Sequence, residues 1–313
     1  MSMPRKHHFV PKSFLASWTT TGALDGQLQV IDKSTGGTFS LKPVNAAKET
    51  DLYLVEIAEA DEGVGPADIE RMFDKVEGAV APVVKRLVAG QDAIGGGDLL
   101  HLAEFMSTLA LRVPVRLDWI DDFMRKPVEL VHRRLDAEGK LPQPEDPELR
   151  ASMKEWFDNG LIRITIKQNA RLAMMLSAMP ILSELLCLRE WTVLRTKPDA
   201  GDLICTDNPV LLEWTIKPPI GQSPGYGLRN TAVFVPLGPS TAVLGLWDAK
   251  PEQRTLTRNQ VEFWNGELLG RVHRFVFSRG DFAALHRDGS VDRRIDVARR
   301  WAIGLTRQGE SVG

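Results

Sequence analysis

The residues best suited to chemistry stand far apart in this chain. Near its start lies RKHHFVPKSFLASW, residues 5–18, where the adjacent imidazoles of His7 and His8 precede a Val10-Pro11 step. Some two hundred positions later the apolar run DLIC ends abruptly in Thr206-Asp207-Asn208-Pro209. An imidazole oriented by a carboxylate can act as a general base, and the same donor pair suits a divalent metal ion. His7 and His8 are therefore candidate catalytic residues, Asp207 and Asn208 their candidate partners, and His8 with Asp207 the candidate metal ligands. Arg112, just before Val113-Pro114, offers a planar fork to a phosphate or carboxylate. It serves equally as one half of an internal ion pair with Glu77 or Asp207. Glu77 is a candidate supporting carboxylate.

The elements that must position these residues follow from local patterning. Pro11 biases Val10 toward an extended backbone, and in an extended segment neighbouring side chains point to opposite faces. Only one of His7 and His8 can face a site, and the sequence does not say which. The Thr206–Pro209 step reads as well as a plain turn between strands, since Asp and Asn hydrogen-bond their own backbone and Pro fixes φ. QLQVIDKSTGGTFSLKP carries the alternation and turn residues of a β-hairpin. Residues 57–66 are acidic and Gly-rich and read as a loop. From Pro66 the period becomes helical, with Ile69, Phe73, Val76, Val80, Val83 and Leu87 on one stripe. Glu70, Asp74 and Glu77 fall on its shoulder, within about 60° of one another.

Asp98, after the glycines at 95–97, is placed to cap the next helix. That helix is apolar on most faces, and its exceptions His101, Glu104, Thr108 and Arg112 share one strip. A helix over 116–135, kinked at Pro127, precedes the linker KLPQPEDPE. Helices over 148–158 and 164–187 follow, the latter bent near Pro180. The grammar then turns to strands in WTVLRT, DLICTD, AVFVPL and STAVLGLW. A helix over 257–270 leads to RFVFS as the final strand, and the end from 306 reads as a frayed tail. Segregated elements of this kind define an α+β fold. They give an N-terminal strand segment and hairpin over 1–56, a helical layer over 66–187, and a mainly antiparallel sheet with one returning helix over 190–305, as one unit.

Composition narrows the classes. Of 313 residues 43% are hydrophobic and 26% charged, which suits a protein with a substantial core. A formal net charge of −2 gives no global basic field, so a nucleic-acid partner would need a local patch. Arg5, Lys6 and the basic stretch at 125–134 are the residues for it. Cys187 and Cys205 sit in apolar runs as packed, reduced thiols, which points to the cytoplasm. No apolar run approaches the roughly 20 residues of a membrane span, so no membrane partner is expected. CxxC, HExxH, GxSxG and Walker-type signatures are missing.

HHFVPKSFLASW, TDNPV and VEFWNGELLGRVHRFVFS together resemble a bacterial family known as domain of unknown function 4238. The matching positions are His7, His8, Val10, Pro11, Phe14 and Leu15, then Thr206 to Pro209, then Asn265. Asp51-Leu52-Tyr53 and Arg112-Val113-Pro114 match further segments of the family. The resemblance implies that these scattered motifs belong to one unit, and it transfers no catalytic role.

Two functions remain open on the sequence. One is a hydrolase-like enzyme, metal-dependent if a divalent ion is its cofactor, acting on a phosphate-containing small molecule or a nucleic acid. The other is a non-catalytic ligand- or protein-binding module whose His, Asp and Arg form a structural polar network. On the first view, His8→Ala and Asp207→Ala leave folding nearly intact and abolish activity.

Overall fold

The histidine segment opens the fold as a short strand, β1 (Lys6–His8), followed by the single-turn helix α1 (Lys12–Leu15). The computed structural model describes residues 5–56, 65, 67–142, 144–161, 164–248 and 254–310. Most of the 57–66 loop therefore lies outside the described residues. The hairpin forms as β2 (Leu28–Asp32) and β3 (Gly37–Leu41), paired antiparallel across the STGG turn. β4 (Lys48–Thr50) then returns to β1, setting His7 opposite Glu49 and His8 opposite Lys48.

Five helices follow: α2 (Asp68–Val88), α3 (Gly96–Leu111), α4 (Pro114–Ala137), α5 (Pro147–Asp158) and α6 (Gln168–Cys187). Pro82, Pro127 and Pro180 lie inside α2, α4 and α6, and none of the three breaks its helix. All three occupy exposed positions, where water can take the carbonyl that a proline leaves free. The cap of α3 is Gly95, while Asp98 sits three residues inside and reaches back to the Gly95 N–H. α6 is long and apolar enough to cross a membrane by length and composition, against the expectation from sequence. One face of it is buried on the helical layer through Leu172, Met175 and Leu186.

The chain then builds β5 (Glu190–Thr196), β6 (Cys205–Thr206), β7 (Leu211–Trp214), β8 (Thr231–Gly238), β9 (Thr241–Leu246) and β10 (Thr255–Leu256). Only two residues of DLICTD are strand. After α7 (Arg258–Gly270) and β11 (Phe275–Ser278) come β12 (Ala283–Leu285), β13 (Val291–Arg293) and α8 (Arg294–Glu310). RFVFS is thus not the final strand, and α8 covers residues 306–310 of the stretch expected to fray, the rest of which lies outside the described residues.

Strand order in the larger sheet is β10-β5-β9-β8-β7, antiparallel except for β10 beside β5. A second sheet, β3-β2-β11-β6, joins the N-terminal hairpin to the C-terminal region. Every residue of β8 is buried. Val233 and Val235 face the helical layer, whereas Phe234 faces α7, where it stacks on Trp264 with ring centroids 4.1 Å apart. A strand covered on both faces loses the polar–apolar alternation of a half-exposed one, which is why AVFVPL reads as a continuous apolar run. The fold is α+β.

Candidate functional site

The two histidines divide as the extended backbone requires. His7 is buried, lies parallel to the Tyr53 ring with centroids 5.6 Å apart, and accepts the Tyr53 backbone N–H at Nδ1 over 2.8 Å. A nitrogen accepting an amide hydrogen carries no proton of its own, so this imidazole is a fixed structural acceptor. The Tyr53 hydroxyl in turn donates to the Arg112 carbonyl at 2.5 Å.

Arg112 is 1% exposed. Its Nε donates to the Phe9 carbonyl at 3.0 Å, Nη1 pairs with Glu77 at 2.9 Å, and the guanidinium lies over the Phe73 ring at 5.0 Å. Of the two sequence alternatives the internal ion pair with Glu77 is the one formed. Nε and Nη1 are thus spent inside the protein, while Nη2, also buried, has no hydrogen-bond partner; a guanidinium this enclosed is not an open anion clamp.

His8 faces the other way and is half-buried. Its Nε2 lies 3.3 Å from the Val44 carbonyl, which also accepts from Lys48 Nζ at 3.2 Å. A carbonyl can only accept, so in the neutral ring Nε2 holds the proton and Nδ1 keeps its lone pair. Nδ1 makes no hydrogen bond among the described residues. Burial pulls the His8 pKa below the ordinary imidazole value, the Val44 carbonyl opposes this, and the positive charges of Lys12, Lys48 and Arg112 lower it further. Lys12 and Lys48 were not picked out from the sequence, since isolated lysines carry no signal there.

The Thr206–Pro209 corner belongs to the β3-β2-β11-β6 sheet. Asp207 is 2% exposed, and its carboxylate accepts the backbone N–H of His273 at 3.0 Å, of Arg274, and of Phe275 at 2.8 Å. Burial pushes this carboxyl up, against the pull of those three amides. Asn208 Nδ2 donates to the Arg271 carbonyl at 3.3 Å. The expected joint work of Asp207 with His7 or His8 is not what the fold builds. Asp207 fastens the turn that enters β11, and no hydrogen bond joins it to either imidazole among the described residues. The Asp207 oxygens are taken up by backbone amides, which gives the expected His8–Asp207 metal pair no support, and no group of three or more His, Cys, Asp or Glu is placed to hold a metal ion among the described residues. Asn265 is a second buried clip. It accepts from the Ile204 N–H and donates to the Asp202 and Ala283 carbonyls, at 2.9–3.0 Å.

Glu77 lines a cavity of about 380 Å³ between α1 and α2, with Ser13, Ser17, Phe14, Val84 and Lys85 around it. About two turns earlier on α2, Glu70 is half-buried, and its Oε1 has no hydrogen-bond partner. Burial raises the Glu70 pKa to about 7, with Arg112 opposing and Asp74 and Glu77 reinforcing the rise. Helical spacing had placed Glu70 beside Glu77 without singling it out.

The three motifs that carried the resemblance thus sit in one fold, as a histidine strand, a turn clip and a helix clip. A family profile described as a protein of unknown function, DUF4238, matches residues 6–282, and the chain belongs to that family. No curated protein and no solved structure matches it.

Two outcomes are expected. Asp207→Ala takes the side-chain acceptor from three part-buried amides, at up to about 1–3 kcal/mol for an unmet group, and lowers the melting temperature by several degrees. His8→Ala, which removes one long surface hydrogen bond, shifts it little, so equal melts for the two variants would refute this division of roles. For Glu70→Gln the sign follows from a folded-state pKa of about 7, above the unfolded value. The stabilisation from the protonated form is complete below the unfolded pKa and lost as pH rises through about 7. The variant therefore melts close to wild type near pH 5 and above it near pH 8, and identical melts at the higher pH would show that Glu70 is solvated.

Proposed function

We propose that the chain is a hydrolase-like enzyme acting on a phosphate-containing substrate, with His8 as its general base. The observation that carries this reading is the state of one ring. His8 is held by the Val44 carbonyl at one nitrogen and is open at the other, with a depressed pKa that keeps it neutral near pH 7. Nδ1 would take a proton from water as the water oxygen attacks phosphorus, and the leaving oxygen would be protonated from solvent. Lys12 and Lys48 lie where they can balance phosphoryl charge. Lys12 makes no ion pair among the described residues, and Lys48 bonds only the neutral oxygens of Val44 and Asn45.

A small substrate fits better than nucleic acid. Most of the basic residues that a polyanion track would use are already ion-paired, Arg5 with Asp51, Arg125 with Asp122 and Glu129, Arg133 with Asp158 and Arg134 with Glu138, which leaves Lys6 without an ion pair among the described residues.

A second reading, a non-catalytic ligand-binding module, draws support from the cavity beside Glu77, which has apolar walls and two serine hydroxyls. In it the His7–Tyr53–Arg112–Glu77 network only braces the pocket.

The test uses purified protein with p-nitrophenyl phosphate, bis-p-nitrophenyl phosphate and a single-stranded oligonucleotide, each with and without added divalent ions. Turnover is expected on a small phosphoester, lowered about 100-fold or more in His8→Ala with its melt unchanged, and with KM raised in Lys12→Ala and Lys48→Ala. The acid limb of the pH–rate profile should lie below the ordinary imidazole pKa, since only deprotonated His8 is a base. No turnover on any of these would leave the binding reading standing, and full turnover by His8→Ala would remove His8 as the base.

A further inference from the structure

We infer that α4 is a self-association surface, on which a second copy of this chain packs antiparallel. α4 commits little of itself to its own core, with only Leu117 and Ile120 buried. Along another side it carries Trp119, Phe123 and Leu130, which are 54%, 53% and 71% exposed. At ~100° per residue these three fall within about 40° of one another. Trp119 and Phe123 are already stacked, with centroids 5.2 Å apart, so part of the patch is preorganised. Trp119 also lines the apolar groove between α4 and α6, whose walls include Met174, Ile181 and Leu185. An ordered stripe of large apolar side chains on an outward helix face marks a partner site and not a solvated face.

The charge pattern says which partner. Residues 114–122 contain one cation and three carboxylates, whereas residues 123–137 contain four cations and two carboxylates. A helix acidic in its first part and basic in its second is complementary to itself when reversed. In a two-fold arrangement centred between Lys126 and Pro127, Phe123 of each copy faces Leu130 of the other. Trp119 then meets the guanidinium of Arg134, which is 80% exposed, and Asp118 lies within a turn of the same group. An isologous interface of this kind closes after two copies. A membrane surface would favour one sign of charge along the whole face, which α4 does not have.

Light scattering of the full chain over a roughly hundredfold concentration range tests this, since a dimer dissociates on dilution. The wild type should pass from one to two chains. Leu130→Glu and Phe123→Glu should each hold it at one chain, with unchanged circular dichroism and with melting like that of the dilute, monomeric wild type. Arg134→Glu should weaken the dimer, and Asp118→Arg added to it should restore association. A monomer at every concentration would overturn the inference. So would a dimer indifferent to both glutamate variants, or failure of the charge reversal to rescue. Co-sedimentation of the monomer with anionic vesicles, lost in Leu130→Glu, would overturn it in favour of a lipid surface.

Discussion

A guanidinium taken out of water must be paid for by partners, and the placement of Arg112 organises the whole N-terminal half around that demand. Its Nε holds the Phe9 carbonyl, Nη1 holds Glu77 on α2, and its own carbonyl receives the Tyr53 hydroxyl. The histidine strand, the segment after β4, α2 and the end of α3 are thereby fixed to a single residue. Loss of one partner from a buried pair costs about 3–5 kcal/mol, because the remaining charge is left uncompensated. Glu70 feels the same geometry from the other side. It shares the field of Arg112 without a hydrogen bond to it, and burial leaves its carboxyl poised near neutrality.

A corresponding logic holds the C-terminal half. Asp207 and Asn265 are short polar side chains that satisfy backbone groups no strand ladder reaches: the amides entering β11 for one, and the chain before β6 and at β12 for the other. Gly266 belongs to this joint, since a Cβ there would lie 1.8 Å from the Leu285 carbonyl oxygen. α7 can approach β12 so closely only because that position has no side chain. Motif residues in this half therefore act by positioning backbone, while the half that begins with β1 leaves an imidazole, His8, open at its surface.

How far the sequence speaks for the structure depends on the kind of signal. Helical stripes such as Ile69–Leu87 and the STGG hairpin were legible because each repeats a period that one face of the core enforces. Helices α4 and α6 run on through Pro127 and Pro180, as a proline on an exposed face allows. DLICTD suggested a full strand, but over residues 202–204 its backbone is met by Asn265, the Trp18 indole and the Pro239 carbonyl instead. The strands and helix after β11 were missed because short, charged elements with few apolar positions imitate a polar tail.

Residue chemistry alone determined that one of His7 and His8 would turn inward, that Arg112 would meet either an external anion or an internal carboxylate, and that the chain would segregate its helices from its strands. Those results follow from backbone alternation, the desolvation of charge and hydrophobic period, all of them local rules. Only the tertiary structure decided that the carboxylate is Glu77, that Asp207 serves three amides and no imidazole, and that His8 is the ring left open among cations. Such pairings depend on which segments the sheets bring side by side, and the separation of residues along a chain holds no record of that distance.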